Sequence, residues 1–489
     1  MLKSIKIENF KSIKDKADIR LAPITLIFGP NSSGKTSILQ ALGVLKQTYS
    51  GKPKGSRGLV TSGEIFDLGG YRSVIHEHEI FNSIRISICY DGLNVNKRQN
   101  EFVSLKEYRE LSFQYQWYDE SFNYNEYDSI LNELRMRFIE KTSKETTFDI
   151  RLERSDHFIS DNEEFIFNNT NDFFLLSDKE SEASLLDLLF RRYNKESELF
   201  DHHVTEKFIK SIYFKTSSGD DFPFVLSTPT STLDSNFNFF DSYLKSFSRL
   251  RGFFYNIHSE FIELMSSISY LGPLRSAPER FYSKNQYSLN TVGVSGKDTP
   301  QIIYKEKDVI IPELNSCFQK FNIPYEIDVE NVGTSLTGEL ISISLRDTRT
   351  DVIVTPSDVG FGIGQLLPIL VEGIVRKNSI ICVEQPEIHL HPKLQAELAD
   401  YFISTTETHD FGKNNNQWII ETHSEALLLR LLKRIRTGTI TPEMLSVIYV
   451  QPTNFGADIF ELEIDESGEL IDEWPDGFSE LTFKEIFND

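Results

Sequence analysis

A glycine-containing segment near the start of the chain has the residue types and spacing of a phosphate-binding loop. Residues 29–36 read Gly-Pro-Asn-Ser-Ser-Gly-Lys-Thr, between the apolar run 24–28 and the helix-like run 37–42. Glycines let backbone N–H groups turn toward phosphate oxygens, and the following helix start adds positive potential. The lysine then reaches the β and γ phosphates, and the threonine ligates Mg²⁺. The segment predicts ATP and Mg²⁺ as ligands, bound by Asn31, Ser32, Ser33, Gly34, Lys35, Thr36 and Ser37.

A second motif supplies an acid suited to that Mg²⁺. The run 380–383 is apolar and ends in Glu384, and an acid at the end of a buried strand holds Mg²⁺ in P-loop enzymes. We therefore predict Glu384 as the Walker B acid, and Thr36 and Glu384 as metal ligands. About 350 residues separate Lys35 from Glu384, far more than one compact P-loop domain needs, so two lobes must assemble the site.

Two further segments lie on either side of this acid in the sequence. Residues 360–365 read Gly-Phe-Gly-Ile-Gly-Gln, just ahead of the apolar, helix-like run 366–370. Glycines there can present N–H groups to a phosphate, although a purely structural turn fits the pattern equally well. Downstream, His423 follows the predicted strand 418–420. A lone histidine is more often structural, but its position at a strand end, after the acid, favours a role at the nucleotide.

Together these segments resemble the cytosolic, non-transporter ABC-type ATPases of the SMC, RecF and OLD branch. The resemblance extends to residues 7–12, 270–275, 383–392 and 421–424, and the tail 468–478 is similar to a C-terminal domain of unknown function in bacterial AAA-type ATPases. It implies that two heads enclose two ATP molecules, each site combining one subunit's phosphate loop with the other's signature loop. The chain would then form a homodimer or a higher homo-oligomer. In such a dimer, Gly362, Ile363, Gly364 and Gln365 would contact the nucleotide bound to the opposing subunit, and His423 would sense its γ-phosphate.

Two positions depart from this family pattern. The signature serine of transporters falls on Gly362, which leaves the contact to backbone N–H groups. The general base that follows the Walker B acid falls on Gln385, which cannot accept a proton. Gln385 can still orient the attacking water, or Glu387 can act as the base if the loop bends back. Either route predicts slow hydrolysis, with ATP as a dimer clamp or timer, and the catalytic set is Lys35, Glu384, Gln385, Glu387 and His423.

Other polar residues near these motifs have two interpretations each. Arg275 and Arg280 can stabilise charge near the nucleotide or pair with surface acids. His389 and His391 alternate as if on one face, but with no nearby third ligand a structural role is favoured over a metal site. The basic cluster 430–436 has helical spacing, which favours a solvated helix face over a nucleic-acid contact.

Composition restricts the class of protein. The 489 residues carry 51 basic and 73 acidic side chains, a formal charge of −22 that disfavours DNA binding without excluding it. No apolar run approaches the roughly 18 residues that a membrane span needs, and the N-terminus alternates too strictly for a signal peptide. We therefore expect a cytoplasmic protein with no membrane contact. The cysteines, Cys89, Cys317 and Cys382, have no C-x-x-C spacing and are expected to be buried apolar residues.

The fold class we predict is α/β: an ABC-type P-loop ATPase head split into two lobes by a mostly helical insertion. Residues 1–95 form the N-terminal lobe with the phosphate loop and end in a strand at 84–90. Residues 96–255 form the insertion, with helices at 133–139 and 184–190, and resemble no family. Residues 256–489 form the C-terminal lobe with the signature loop, the Walker B acid, the switch histidine and the tail.

The resemblance also suggests a biological role. Only about 65 residues follow His423, too few for the TOPRIM nuclease module that follows the ATPase in OLD-type nucleases. Anti-phage systems of the Septu and PARIS kind pair a similar ATPase with a separate effector, which implies that this chain regulates or scaffolds a nuclease or toxin. The alternative is a RecF-like DNA-binding clamp in repair or recombination. A transporter ATPase fits less well, because its motifs would lie closer together.

Overall fold

The protein is a mixed α/β chain, described here by a computed structural model. The structure describes residues 1–50, 58–92, 107–117, 129–155, 158–160, 163–165, 173–176, 213–215, 225–227, 237–283, 290–336, 338–406 and 414–472, with side chains except at 154–251 and 361. The chain divides into two compact units. The first unit contains Met1 and the described residues of Ile19–Leu39 and Ser267–Asp489; the second contains those of Leu2–Asp18 and Gln40–Ser266.

In chain order the described strands are β1 (Leu2–Glu8), β2 (Ala17–Arg20), β3 (Ile24–Phe28), β4 (Ile84–Asp91), β5 (Glu107–Trp117), β6 (Ser129–Glu140), β7 (Thr146–Ser155), β8 (Phe158–Ser160), β9 (Glu163–Phe165), β10 (Phe173–Leu176), β11 (Tyr213–Lys215), β12 (Val225–Ser227), β13 (Ile268–Leu271), β14 (Tyr282–Ser283), β15 (Tyr325–Asn331), β16 (Leu340–Asp347), β17 (Ile353–Val354), β18 (Ile380–Glu384), β19 (Gln417–Glu421), β20 (Leu445–Thr453) and β21 (Gly456–Leu462). The described helices are α1 (Lys35–Tyr49), α2 (Tyr71–Val74), α3 (Phe237–Ser267), α4 (Thr299–Lys305), α5 (Lys307–Lys320), α6 (Phe361–Val375), α7 (Pro392–Thr405) and α8 (Glu425–Arg436).

The first unit is built around a sheet whose described strands run in the order β13, β18, β19, β3, β20, β21. The first five are parallel to their neighbours, and β21 pairs antiparallel with β20. One strand, β19, therefore lies between the phosphate-loop strand β3 and the Walker B strand β18. Ligand-binding residues in such sheets collect at the carboxyl ends of the strands, so the motifs after β3, β18 and β19 share one edge.

The core of the first unit explains why these strands were recognisable. All five residues of β3, β18 and β19 are buried, and parallel strands covered on both faces have continuous apolar runs. Leu26, Ile381 and Ile420 are fully buried there and pack with Leu370 of α6 and Phe402 of α7. Burying each such side chain contributes about 1.5–3 kcal/mol, so the core fixes the polar strand ends firmly.

Eight described strands of the second unit belong to one sheet, in the order β12, β11, β10, β7, β6, β5, β4, β1. Neighbours from β12 to β1 pair antiparallel. Aromatic side chains pack on it in clusters: Phe138, Phe148 and Phe253 lie with ring centroids 5.0–5.6 Å apart. Tilted and edge-on rings at these separations are favourable arrangements, so aromatic residues contribute to the core of this unit together with aliphatic residues such as Leu111 and Ile150.

The predicted helix at 133–139 is wrong, because these residues belong to strand β6. Leu134, Met136 and Phe138 are buried while Arg135 and Arg137 are partly exposed, which is the two-residue period of a strand. Arg135 donates to both oxygens of Asp149 on β7 at 2.8 and 2.6 Å. The segment is rich in good helix formers, but cross-strand packing and ion pairs override that preference.

The mostly helical character predicted for residues 96–255 is not confirmed, since the described residues there form eight strands and the first part of α3. The predicted helix at 184–190 lies outside the described residues. Helix α3, Phe237–Ser267, runs through the predicted boundary at residue 255. The predicted strand at 84–90 is confirmed as β4, and the three-part division of the chain stays a prediction.

Two compositional expectations can be compared with the structure. Cys89, Cys317 and Cys382 are buried free thiols, and burial raises the pKa of Cys89 and of Cys317 to about 11, so these are the inert apolar residues expected. In the part of the chain that the structure describes, every helix is too short or too polar to cross a membrane.

A buried ion pair in the second unit predicts a pH-dependent stability. Glu260 on α3 is 1% exposed and its Oε2 lies 3.8 Å from Nε of Arg109. Burial raises the pKa of Glu260 to about 7 although Arg109 lowers it. Its contribution to stability is therefore present below about pH 4.5 and is lost as the pH rises through about 7.

Replacing Glu260 with glutamine removes this titration. We expect the free energy of unfolding of Glu260→Gln, relative to that of the wild type, to be about 2–3 kcal/mol higher at pH 8.5 than at pH 5. Urea unfolding at both pH values, followed by tryptophan fluorescence, measures the difference. A change that is equal at the two pH values, or that destabilises the protein more at pH 8.5, contradicts this assignment.

Candidate nucleotide site

The phosphate loop has the backbone conformation that its glycines predicted. Gly29 and Gly34 adopt φ angles of 148° and 97°, and Ser32 adopts 63°. A Cβ atom on Gly29 would lie 2.3 Å from the carbonyl oxygen of Val450, so no other residue fits between the loop and β20. Helix α1 begins at Lys35, directly after Gly34. The loop therefore sits at a helix N-terminus, where backbone N–H groups are available to an anion.

Lys35 lies against the loop and close to three carboxylates. Its Nζ donates to the carbonyl oxygens of Gly29 at 3.0 Å and Pro30 at 2.8 Å, and the residue is 4% exposed. Burial lowers its pKa, while Glu421, Glu387 and Glu384 act in the opposite direction. The lysine thus lies near acidic residues that are about 350 residues or more away from it along the chain. Of the other predicted loop residues, Ser33 and Ser37 are buried and Asn31 and Ser32 are exposed.

Two neighbouring strands end in carboxylates beside Thr36. Glu384 ends β18 and pairs in register with Glu421, which ends β19, so the two residues lie about 4.8 Å apart in backbone spacing. Thr36 Oγ1 donates to Glu421 Oε2 at 2.8 Å. Glu421 was not among the predicted metal ligands, although two apolar strands that both end in glutamate carried the signal. Burial raises the pKa of Glu421 and raises that of Glu384 to about 7.

This oxygen-rich group suits Mg²⁺ bound with a nucleotide. Thr36, Glu384 and Glu421 offer one hydroxyl and two carboxylates, and Mg²⁺ is usually held by one or two carboxylates while phosphates and water supply the rest. Among the described residues there is no group of three or more His, Cys, Asp or Glu side chains arranged for a metal. The residues therefore fit a metal that arrives with its nucleotide better than one held by protein alone.

Glu384 is positioned by one residue of β13 and by one residue of the segment that follows this strand. The hydroxyl of Tyr270 donates to Glu384 Oε1 at 2.5 Å, and Arg275 Nη2 donates to the carbonyl oxygen of Glu384 at 2.7 Å. Tyr270 reaches the acid because β13 is the parallel neighbour of β18. The pKa of Tyr270 is raised, chiefly by burial and by the Glu384 charge, so the tyrosine stays a donor and fixes the rotamer of the acid.

The loop after Glu384 holds the residues expected to control hydrolysis. Gln385 has a φ of 43°, and its backbone N–H donates to the carbonyl oxygen of Glu421 at 2.7 Å. Its side chain is half-buried. Glu387 accepts from Thr422 Oγ1 at 2.8 Å and from the backbone N–H of His423 at 2.7 Å. Both carboxylate oxygens of Glu387 thus hold the end of β19, and its use as a general base stays a prediction.

His423 lies in this group directly after Glu421 and Thr422. Burial lowers its pKa and so does the positive charge of Lys35, which shows that the two side chains are within electrostatic reach. The imidazole is therefore mainly neutral at pH 7. The structure brings Lys35, Thr36, Glu384, Glu387 and His423 together at one edge of the sheet, and their roles at a nucleotide stay predictions.

The glycine segment before residue 366 differs from its predicted form. Gly360 precedes α6, but Gly362 and Gly364 lie inside its first turn and not in a loop ahead of the helix. A Cβ on Gly364 would lie 2.4 Å from Cγ of Pro278, and one on Gly362 would lie 3.0 Å from the carbonyl oxygen of His389. Both glycines therefore allow close packing within the chain, and their contact with a second subunit's nucleotide stays a prediction.

The remaining residues of that segment are also engaged within the chain. Gln365 is buried, and its Nε2 lies 3.5 Å from the carbonyl oxygen of Arg275. Ile363 packs against the core of the first unit. These contacts connect the start of α6 to the segment after β13, which in turn holds Glu384.

The other polar residues singled out in the sequence have structural partners. Arg280 pairs with Asp358, with Nη2 and Oδ1 2.5 Å apart, as the surface-pairing interpretation predicted. His391 caps α7, because its Nδ1 accepts from the backbone N–H of Lys393. In the basic cluster on α8, Lys433 and Arg436 are exposed and Arg434 pairs with Asp400 at 2.7 Å, which agrees with the predicted solvated helix face.

One protein family matches most of the chain. Residues 1–428 match the family described as the AAA ATPase domain. The chain belongs to this family. No curated protein matches the chain. Among solved structures it is similar to an Smc head domain with an extended coiled coil from Pyrococcus furiosus, bound to the C-terminal domain of ScpA, at 11% identity and a TM-score of 0.39, over 94% of this chain and 96% of that one. The SMC head domain from Thermotoga maritima matches at 11% identity and a TM-score of 0.35, over 95% and 99%.

This AAA ATPase has buried polar atoms that suit a phosphate-bearing ligand. Ser33 Oγ in the phosphate loop and His423 Nε2 at the end of β19 are both buried and have no hydrogen-bond partner among the described residues. Buried polar atoms are nearly always satisfied in folded proteins, so these two await an acceptor or donor from outside the chain. Phosphate oxygens and bound water meet that need, and the site fits ATP with Mg²⁺.

Proposed function

We propose that this protein is an ABC-type ATPase that binds ATP with Mg²⁺, hydrolyses it slowly and dimerises around it to control a separate effector protein. The observation that carries the proposal is the register of β18 with β19. It places Glu384 beside Glu421, whose Oε2 accepts from Thr36 in the phosphate loop. The membership in an ATPase family agrees with this chemistry.

Each residue of the site has a defined task in this proposal. Lys35 exchanges its contacts with the loop carbonyls for phosphate oxygens, and Thr36, Glu384 and Glu421 orient the metal. When bound, Mg²⁺ withdraws charge from the terminal phosphate and aligns it for attack by water. Glu387 keeps the backbone of His423 in place, so that the neutral imidazole can contact the terminal phosphate or the attacking water.

Slow hydrolysis follows from the environment of the residue next to the acid. Gln385 can orient a water molecule but cannot remove its proton. Glu387, the alternative base, already accepts two hydrogen bonds that hold the strand end. Neither residue is therefore a free base, and the bound ATP is expected to persist long enough to act as a clamp or timer.

Dimerisation is the part of the proposal that rests on the resemblance to SMC, RecF and OLD proteins. In a homodimer, the first turn of α6, with Gly362, Ile363, Gly364 and Gln365, would face the nucleotide of the partner subunit. Light scattering of the purified protein tests this directly. We expect the mass to double with Mg²⁺ and a non-hydrolysable ATP analogue, to stay monomeric with ADP, and to stay monomeric for Lys35→Ala under both conditions. The same measured mass with the ATP analogue and with ADP contradicts the proposed clamp.

The effector role comes from the family resemblance and not from residues of the nucleotide site. We propose a nuclease or toxin subunit in an anti-phage system as the partner. Co-expression with the product of each neighbouring gene, with Lys35→Ala as the matched control, tests it. An ATP-dependent stoichiometric complex supports the effector role. Salt-sensitive binding to duplex DNA without such a complex supports the RecF-like clamp and refutes the effector role.

A further inference from the structure

One arginine beside the nucleotide site has hydrogen-bond donors that the chain leaves unused. Arg275 follows β13 and is 6% exposed. Its Nη2 donates to the carbonyl oxygen of Glu384 at 2.7 Å. Its Nε and Nη1 are buried and have no hydrogen-bond partner among the described residues. Unpaired donors on a buried charged group destabilise the folded state, so this guanidinium needs an acceptor that the described residues do not supply.

The two carboxylates that interact electrostatically with Arg275 do not accept a hydrogen bond from these unpaired donors. Glu384 and Glu387 both favour the charged form of Arg275, while burial lowers its pKa to about 10, so the arginine remains charged at pH 7. Glu387 is already engaged with Thr422 and with the backbone of His423, and Oε1 of Glu384 accepts from Tyr270. Among the described residues the two N–H groups therefore have no acceptor, and an anion from outside the chain would satisfy both of them and balance the charge.

The position of Arg275 indicates which anion. Lys35 and Arg275 act on the same two carboxylates, Glu384 and Glu387. Lys35 belongs to the phosphate loop after β3, whereas Arg275 lies in the segment that follows β13, the strand on the far side of β18. The arginine thus approaches from the Walker B side of the site, where the Mg²⁺ and the terminal phosphate meet the attacking water. A guanidinium fork matches phosphate oxygens in geometry and charge.

We propose that the Nε and Nη1 groups of Arg275 bind the terminal phosphate of ATP held by the same chain and so make the site distinguish ATP from ADP. This inference rests on the proposed nucleotide site. ADP lacks the phosphate that Arg275 contacts, so its affinity depends on the phosphate loop alone. The bond from Nη2 to the carbonyl of Glu384 fixes the guanidinium in place for this contact.

Equilibrium titration with two fluorescent nucleotides tests the assignment. The probes are mant-AMPPNP and mant-ADP with Mg²⁺, and the variants are Arg275→Gln and Arg275→Lys. We expect Arg275→Gln to weaken mant-AMPPNP binding by about 10- to 100-fold and mant-ADP binding by less than about 3-fold. Arg275→Lys keeps the charge but loses the fork, and should fall between the two. It also provides the test if the glutamine variant does not fold.

Arg376 offers a matched control at the opposite edge of the same sheet. Its Nη2 donates to the carbonyl oxygen of Ser267, just before β13, at 2.8 Å. Arg376→Gln therefore removes a similar side chain to main chain contact away from the nucleotide, and both affinities should stay unchanged. Equal losses for both nucleotides in Arg275→Gln, or no loss, refute the phosphate contact and leave only support of Glu384. Absence of mant-AMPPNP binding by the wild-type protein would instead overturn the nucleotide site itself.

Discussion

Replacing Glu384 with glutamine is expected to lower ATP hydrolysis by about 100-fold or more while ATP binding is retained. Glutamine keeps an oxygen that can accept from Tyr270, so the local geometry should persist. What is lost is the negative charge at the end of β18 that we propose holds Mg²⁺ beside the terminal phosphate. The variant should therefore remain in the ATP-bound dimer. Steady-state phosphate release and light scattering measure the two effects.

A buried glutamate of the same unit provides the control for this substitution. Glu372 on α6 is 2% exposed and accepts from the backbone N–H of Val292. Glu372→Gln removes a comparable buried charge outside the nucleotide site, and its turnover should stay within about 2-fold of wild type. Equal loss of turnover in both variants would indicate a general effect of buried charge and would contradict the metal role of Glu384.

Replacing Gln385 with glutamate is expected to accelerate hydrolysis by about 10-fold or more, because it introduces a general base beside the Walker B acid. The nearby carboxylates of Glu384, Glu387 and Glu421 should raise the pKa of the new carboxyl group toward neutrality, which suits proton abstraction. Single-turnover kinetics measure the chemical step without product release.

Two further variants distinguish whether Gln385 orients the attacking water or Glu387 acts as the general base in the wild-type protein. If Gln385 orients the water, Gln385→Ala should slow hydrolysis. Glu387→Gln should then affect hydrolysis only indirectly, because the segment after β19 loses the carboxylate that holds it. If Glu387 is the base, Glu387→Gln should abolish the pH dependence of turnover, whereas Gln385→Ala should change it little. An unchanged or slower rate in Gln385→Glu contradicts the view that the missing base limits turnover.

The polar strand ends of the first unit were predictable from sequence because their strands are buried on both faces. Such strands are continuous apolar runs, and Glu384 and His423 stand out at their ends. The helix after the phosphate loop was also predictable, because the loop motif is itself followed by a helix start. These positions depend only on local sequence, so a single chain suffices to recognise them.

The contacts between strands could not be read in this way. That β19 lies between β3 and β18 is a property of the folded sheet, and it alone brings Glu421 to Thr36. Likewise, Tyr270 and Arg275 act on Glu384 only because β13 is its neighbour. Strand β6 shows the opposite failure, since Leu, Met and Arg favour a helix locally and only the neighbouring strands reveal the two-residue period.

The central claim is that this chain hydrolyses ATP at a site completed by a second copy. Steady-state ATP turnover per subunit, measured with Mg²⁺ across a dilution series and with Lys35→Ala as the blank, tests it most directly. We predict turnover above the blank and a specific activity that rises with protein concentration. Turnover equal to that of Lys35→Ala at every concentration would contradict the claim.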